Sequence, residues 1–376
     1  MEINFYINDP LRLSLLIAFA AVALIQLLYF WIFFSRLAFY RRKQVSQDKP
    51  PVSVIITSHS ELNFLGDNLP FILEQDYPKF EVVVVNDNSD HDTSDFLKQL
   101  SLDNEKLQIV ELQKNLNWFK GKKFPLSIGI RSAKYNLIVL TDADCQPVSN
   151  QWLSELVSAR TPNTGIILGY SGYATKSKIN KLLRFSAFFD ALFFLSMALA
   201  KMPFKGVGKN LSYTRPLFYQ QQGFISHYVI KPGDDELFVN KAATGKNTRV
   251  IISPDSKVVS IKPLTFGEWL KVEKTRLRLR KNFRFSHRFW LFAFSFSRLL
   301  FFGLFAALLL LGVSWIIVVP VLVLRLITQW LLFGMSMKKL TEKNLWFWSP
   351  FFEIFIMFTD IIFWFILTFS RNRKWA

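Results

Sequence analysis

The sequence predicts an α/β domain with a mostly parallel sheet and flanking helices, joined to transmembrane helices. Short β-branched runs alternate with helix-like segments between residues 52 and 261, the pattern of a parallel sheet covered by helices on both faces. Apolar runs at 11–34, 289–311, 313–333 and 345–369 are each long enough to span a bilayer. Acidic residues sit where several strand-like runs end, and in such sheets ligands bind outside the carboxyl ends of the strands.

Composition narrows the classes. The 376 residues include 40 Phe and 11 Trp, carry a net charge of +18 and contain a single cysteine, Cys145. Long apolar clusters indicate membrane segments. The positive charge fits an anionic membrane face, an anionic substrate or nucleic acid. One cysteine excludes an internal disulfide framework and a Cys-based zinc site.

Taken in order, residues 1–44 form an amino-terminal membrane anchor. Arg36, Arg41, Arg42 and Lys43 follow its apolar run, whereas Arg12, Glu2 and Asp9 precede it. This asymmetry places the following domain in the cytosol. Strands are expected at 52–57, 80–85, 107–111, 137–140, 165–170, 211–213, 250–253 and 257–261. Helices are expected at 68–74, 96–102, 126–133 and 152–159. The 80–85 run is nearly all β-branched, as when both faces of a strand are buried. Residues 181–200 are apolar around a central Asp190. They fit a spanning, core or interfacial helix, and the interface is preferred because spanning would split the domain across the membrane. The 50–265 domain leads into a basic interface segment, 266–288, and then a membrane region, 289–376. In that last region Arg298, Arg325, Glu353 and Asp360 interrupt the apolar runs. A span at 345–369 would leave Arg371, Arg373 and Lys374 outside, so the number of spans stays open.

The chemistry centres on the Asp-Ala-Asp run at 142–144. Residues i and i+2 of an extended chain point the same way, so both carboxylates can face one point at a strand end. Sharing a point, they repel unless a cation or a proton intervenes. Oxygen-rich sites of this kind suit Mg2+ or Mn2+. The plain alternative is a solvated turn. The four histidines are scattered and lack metal-ligand spacing.

From about residue 52 to 276 the chain resembles the inverting membrane glycosyltransferases of family two, a cellulose-synthase-like and N-acetylglucosaminyltransferase-like superfamily. The resemblance rests on ordered motifs: the 52–57 strand, Gln75 to Pro78, Val85 to Asp90, Gly121 with two lysines, Thr141 to Asp144, Gly206 to Tyr213, and Gly223 with the acids at 234–236. It implies a GT-A nucleotide-diphospho-sugar transferase domain that moves a sugar from a nucleotide donor with inversion. On this resemblance Asp87 matches the aspartate that hydrogen-bonds the donor's base or ribose. Asp142 faces the nucleotide or sugar and shares the metal with Asp144, and Lys122 and Lys123 meet the donor. Asp234 is similar to the general base when aligned on Leu237, and Asp235 takes that role if the register shifts by one. Gly233 replaces the family's preceding glutamate, so Asp235 or Glu236 becomes the acceptor-side carboxylate. The Gln-x-x-Arg-Trp signature of processive members appears as Glu273, Arg276 and Leu277. Arg276 keeps the donor-binding position, but the tryptophan that contacts a growing polymer is absent. His59 and Glu61 stand where the family often has Arg and Glu.

The expected function is a metal-dependent glycosyltransferase in the cytoplasmic (inner) membrane, with a cytosolic catalytic domain and a lipid-linked or polysaccharide acceptor. The alternative is an inactive nucleotide-sugar-binding membrane partner of a polysaccharide assembly system. Basic residues interleaved with Trp269, Phe283 and Phe285 also fit a single-strand nucleic-acid binder. Charge at a membrane junction already explains them, so no nucleic-acid partner is expected.

Overall fold

The computed structural model describes residues 9–42, 46–59, 61–87, 90–112, 121–174 and 181–369. Lys43, Arg371, Arg373 and Lys374 lie outside them, as do Asn88 and Ser89 of the acidic motif. The chain divides into two compact units, one of residues 41–270 with 339–341, the other of 1–40, 271–338 and 342–376. The chain begins in the second with α1 (Pro10–Leu28), which continues through a π-helical turn to Ala38.

The first unit is built on a seven-stranded sheet. β1 (Val52–Ser58), β2 (Phe80–Asp87), β3 (Leu107–Leu112) and β4 (Leu137–Leu140) run parallel. The order is β3-β2-β1-β4-β8-β6-β9, with β6 (Ile166–Leu168), β8 (Leu211–Thr214) and β9 (Thr248–Val250). After β3 the chain returns to the far side of β1, which creates a topological switch at the carboxyl ends of β1 and β4. β8 runs antiparallel to β4, with Leu211 opposite Leu140. The entry to β8 therefore lies at the same sheet edge as the exits of β1, β2 and β4. Val82, Val83, Val84 and Val85 are all buried, which explains why β2 lacks polar alternation.

Helices cover the sheet. They are α2 (Leu62–Leu73), α3 (His91–Asp103), α4 (Lys123–Ser132), α5 (Trp152–Ser158), α6 (Lys181–Leu199), α7 (Arg215–Gln220) and α8 (Asp235–Ala242); α9 (Phe266–Arg280) follows and continues into the other unit. Asp90 caps α3 by accepting from the Thr93 amide. A Cβ at Gly129 of α4 would stand 2.7 Å from Ile55 Cγ2 and 2.8 Å from Val85 Cγ2, so glycine sets how closely α4 approaches β1 and β2. A second sheet, order β5-β10-β7, consists of three-residue strands Cys145–Pro147, Val258–Ser260 and Ser171–Tyr173. It has no counterpart in the hydrophobic pattern beyond the 257–261 run.

α6 differs from the interface reading. Fourteen of its 19 residues are buried, and it packs on β7 and β9. An apolar helix that is covered all round is a core helix. Its polar interruption is also explained, because Lys205 Nζ donates to Asp190 Oδ2 at 2.6 Å.

The second unit is helical. Besides α1 it holds α10 (Phe285–Leu310), α11 (Trp315–Lys339) and α12 (Ser349–Phe369). These four, with α6, are long and apolar enough to cross a membrane. Phe19 stacks on Phe301 at 5.1 Å, and Phe34 meets Phe294 and Phe333 edge-on. The polar interruptions of the apolar runs pair with each other. Arg325 and Glu353 are both 0% exposed, and Arg325 Nη2 donates to both Glu353 oxygens at 2.8 and 2.9 Å. Arg325 Nη1 donates to Gln329 Oε1 at 2.7 Å, and Arg298 pairs with Asp360 at 3.2 Å. Removing one partner of a buried pair leaves an uncompensated charge. Glu353→Ala is expected to destabilise this unit by about 3–5 kcal/mol, and Glu353→Ala with Arg325→Leu by clearly less. Thermal unfolding of the detergent-purified protein measures both; an unchanged midpoint in the single variant would remove the pair from the forces holding the bundle.

Candidate active site

The site is assembled at the carboxyl edge of the main sheet. β4 ends at Leu140, and the chain turns through Thr141, Asp142, Ala143 and Asp144 into β5. Ligand atoms of Asp142, Asp144 and Cys145 lie within 4.8 Å of one another. Each carboxylate carries a lysine. Lys122, just before α4, donates to Asp142 Oδ1 at 2.7 Å. Lys209, in the turn entering β8, donates to Asp144 Oδ2 at 3.1 Å. Ser260 Oγ also donates to Asp144 Oδ2, at 2.5 Å, because β10 pairs with β5 and sets Ser260 opposite Cys145. Burial alone would raise Asp144, but Lys209 and the Ser260 hydrogen bond overcome it and hold the carboxyl below its usual range. Burial would lower Lys209 and Lys122, yet the surrounding carboxylates keep both ammoniums raised.

Glu61, before α2, joins this group. Its carboxyl is raised by burial, with Lys122 opposing and Asp142 and Asp144 adding to the rise. Asp87 ends β2, and its carbonyl meets His59 Nδ1 at 2.5 Å. Cys145 is buried, and its thiol is pushed well up, first by burial.

The acids at the start of α8 occupy three different environments. Asp235 Oδ2 accepts from the Gly208 amide at 2.6 Å. A Cβ on Gly208 would fall 2.3 Å from that same oxygen, so only glycine permits the contact. Burial, then Asp234 and Glu236, push Asp235 well above the carboxylate range. Glu236 is raised by burial, against Lys205, whose Nζ lies 3.8 Å away. Asp234 stands at the N-cap position without capping the helix, and no ion pair or hydrogen bond engages its carboxylate among the described residues.

Two expected donor contacts have protein partners of their own. Lys123 is buried and donates to the His227 carbonyl at 2.7 Å and to the Ile230 carbonyl. Its ammonium ties the 227–230 segment to α4 instead of facing open space. Arg276 belongs to the helical unit and pairs with Glu273. Lys209 and Ser260 were invisible as site residues, although the Gly-x-Gly-Lys turn at 206–209 marked where the chain bends.

The donor set fits a divalent cation. Two carboxylates converge on one point with the Cys145 thiol beside them, a donor set in which oxygen predominates.

The sheet order, the switch point and the strand-end acids define a GT-A-like α/β domain. Residues 53–206 match the family described as Glycosyl transferase family 2. The chain is 28% identical over 102 residues to poly-beta-1,6-N-acetyl-D-glucosamine synthase of Staphylococcus epidermidis, covering 27% of this chain and 24% of that protein. It is 33% identical over 103 residues to the probable glycosyltransferase YdaM of Bacillus subtilis (strain 168), with the same coverage. The chain thus spans about a quarter of the length of these curated relatives. Among solved structures it resembles the mannosyltransferase PcManGT from Pyrobaculum calidifontis, in complex with GDP-Man and Mn2+. That TM-score is 0.62 at 18% identity, over 96% of this chain and 99% of the other, a likeness of fold.

The raised Asp235 has a sign that can be tested. Its folded pKa lies above its unfolded value, so neutral Asp235 supports folding most at low pH. That support fades as pH rises from about 4 toward the folded value. Asp235→Asn keeps an oxygen for the Gly208 amide and cannot ionise. Its thermal midpoint is expected at or above wild type at neutral pH, with the difference closing toward about pH 4. A variant that is less stable at neutral pH would contradict the burial argument.

Proposed function

We propose that this protein is a membrane-bound, metal-dependent inverting glycosyltransferase that moves a sugar from a nucleotide-sugar donor to a lipid-linked or polysaccharide acceptor. The observation that carries the reading is the convergence of Asp142, Asp144, Lys122 and Lys209 at the strand ends, with α8 presenting Asp234 beside them through the Asp235–Gly208 bond. Asp144 and Asp142 would hold Mg2+ or Mn2+, and a divalent cation there supplies charge neutralisation for the departing diphosphate. Asp87 at the end of β2 meets the nucleoside. Lys122 offers fixed positive charge to the donor.

Asp234 is the general base. Inversion needs a group on the face opposite the leaving diphosphate, within reach of the acceptor hydroxyl. Of the three acids, Asp235 is committed to a backbone amide and Glu236 lies near Lys205. Asp234 alone keeps its carboxylate available, and Asp235 behind it fixes the helix start. Burial raises the carboxyls of Asp235 and Glu236, which disfavours the ionised form that a base needs at either of them. The domain faces the cytosol, where nucleotide sugars are made, and the apolar helices keep it at the membrane. GDP-mannose and UDP-N-acetylglucosamine are the first donors to test, since proteins similar to this one are named for mannosyl and N-acetylglucosaminyl transfer.

Detergent-purified full-length protein is incubated with each donor, Mn2+ and a lipid extract, and nucleotide release is followed. Asp234→Asn is expected to lower turnover by about 10^2–10^4 while donor binding persists. Asp144→Ala is expected to lose both turnover and metal-dependent binding. Equal turnover in both variants would refute the assignment. Donor binding without turnover under every acceptor would support an inactive nucleotide-sugar-binding partner instead.

A further inference from the structure

Lys209 holds an unusual position for a residue beside a metal site. Both oxygens of Asp144 are engaged, Oδ2 by Ser260 and Lys209, Oδ1 by the Cys145 thiol at 3.4 Å and by Lys209 at 3.5 Å. Of these partners Lys209 alone brings a positive charge, so its ammonium is the cation already on this carboxylate. A divalent ion and an ammonium cannot share the same side of one carboxylate without strong repulsion.

The backbone of Lys209 is held by its neighbours, and its ammonium donates to Asp144 and, at 3.0 Å, to Ser260 Oγ. Thr141 Oγ1 donates to the Lys209 carbonyl at 3.1 Å. The next residue, Asn210, donates to the Tyr170 and Ser256 carbonyls, each at 2.8 Å, and accepts from Trp152 Nε1 at 3.1 Å. The turn therefore stays in place, and the four-carbon stem carries the only easy motion. Lys209 keeps 27% of its side-chain surface exposed, so open space adjoins it.

Charge counting gives the motion a purpose. In the two direct ion pairs, Asp142 and Asp144 against Lys122 and Lys209 sum to zero. A divalent ion taking the carboxylates leaves two ammoniums without partners, and a diphosphate restores the balance. We propose that Lys209 is the resident counter-cation of Asp144, that a divalent ion binds by displacing it, and that the displaced ammonium then holds the donor's diphosphate. Lys209 is thus a donor-binding residue whose resting partner is the metal ligand. This inference rests on the metal reading above.

Binding of Mn2+ to the full-length, donor-free protein is measured by the electron paramagnetic resonance of free Mn2+. Lys209→Met is expected to bind Mn2+ about tenfold or more tightly than wild type, because its competitor is gone. Lys209→Arg, which keeps the charge, is expected to bind no more tightly than wild type. With Mn2+ saturating, inorganic pyrophosphate is expected to bind Lys209→Met about tenfold more weakly than wild type. Unchanged or weaker Mn2+ binding in Lys209→Met, or unchanged pyrophosphate binding, overturns the proposal. So does Lys209→Arg gaining Mn2+ affinity, a test that stands even if the methionine variant misfolds. Asp144→Asn separates the two readings. If it loses Mn2+ while Lys209→Met matches wild type, only the exchange fails. If it binds Mn2+ like wild type, the metal site itself is refuted.

Discussion

Two like charges at the end of one strand set the terms for the α/β domain. Asp142 and Asp144 cannot stand together ionised without nearby positive charge. That charge arrives from distant parts of the chain, Lys122 from the start of α4 and Lys209 from the turn before β8. Only the sheet topology brings these segments together. β1 sits between β2 and β4, which opens the switch point, and antiparallel β8 delivers its entry turn to the same edge. The short second sheet adds Ser260, and Gly208 lets α8 dock its first turn. The site is thus a set of chain ends meeting at one sheet edge, held by electrostatic balance.

Much of this architecture was legible in the residues because it follows from period and composition. The valine run of β2, the apolar run of β4 and the acids at their ends identified the parallel sheet and its ligand-binding edge. That the residues of α6 fit a spanning, core or interfacial helix alike has a physical cause. A helix buried on all sides and a helix facing lipid carry the same apolar pattern, and what marks α6 is its packing on β7 and β9 and the pairing of Asp190 with Lys205. Lys209 and Ser260 escaped notice for another reason. Their role depends on pairing between β10 and β5 and between β8 and β4, and strands of three or four residues leave little period to read. Lys123 and Lys122 are adjacent and chemically identical, yet one is buried on carbonyls and the other reaches Asp142. Which way each points is decided by packing.

In the helical unit, charged residues looked like irregularities in apolar runs. Arg325 with Glu353 and Arg298 with Asp360 turn them into cross-links between helices. Apolar packing alone gives weak register between helices in lipid, where solvent and side chains are equally apolar. Buried pairs add direction, since a shifted helix strands a charge. Phe30, Phe301 and Phe302 surround the Arg325 guanidinium at 4.9 to 5.5 Å, so the polar cross-link sits inside an aromatic shell.

The single cysteine has a practical consequence. Cys145 is fully covered, and burial pushes its thiol well above the usual range. The natural chain is therefore a silent background for thiol-directed probes. One cysteine introduced into the connections at 311–314 or 340–348 can carry a spin label, a fluorophore or an impermeant reagent with no prior removal of a native thiol. Sidedness of the helices and the movements of the active-site turn both become measurable on a protein altered at one position.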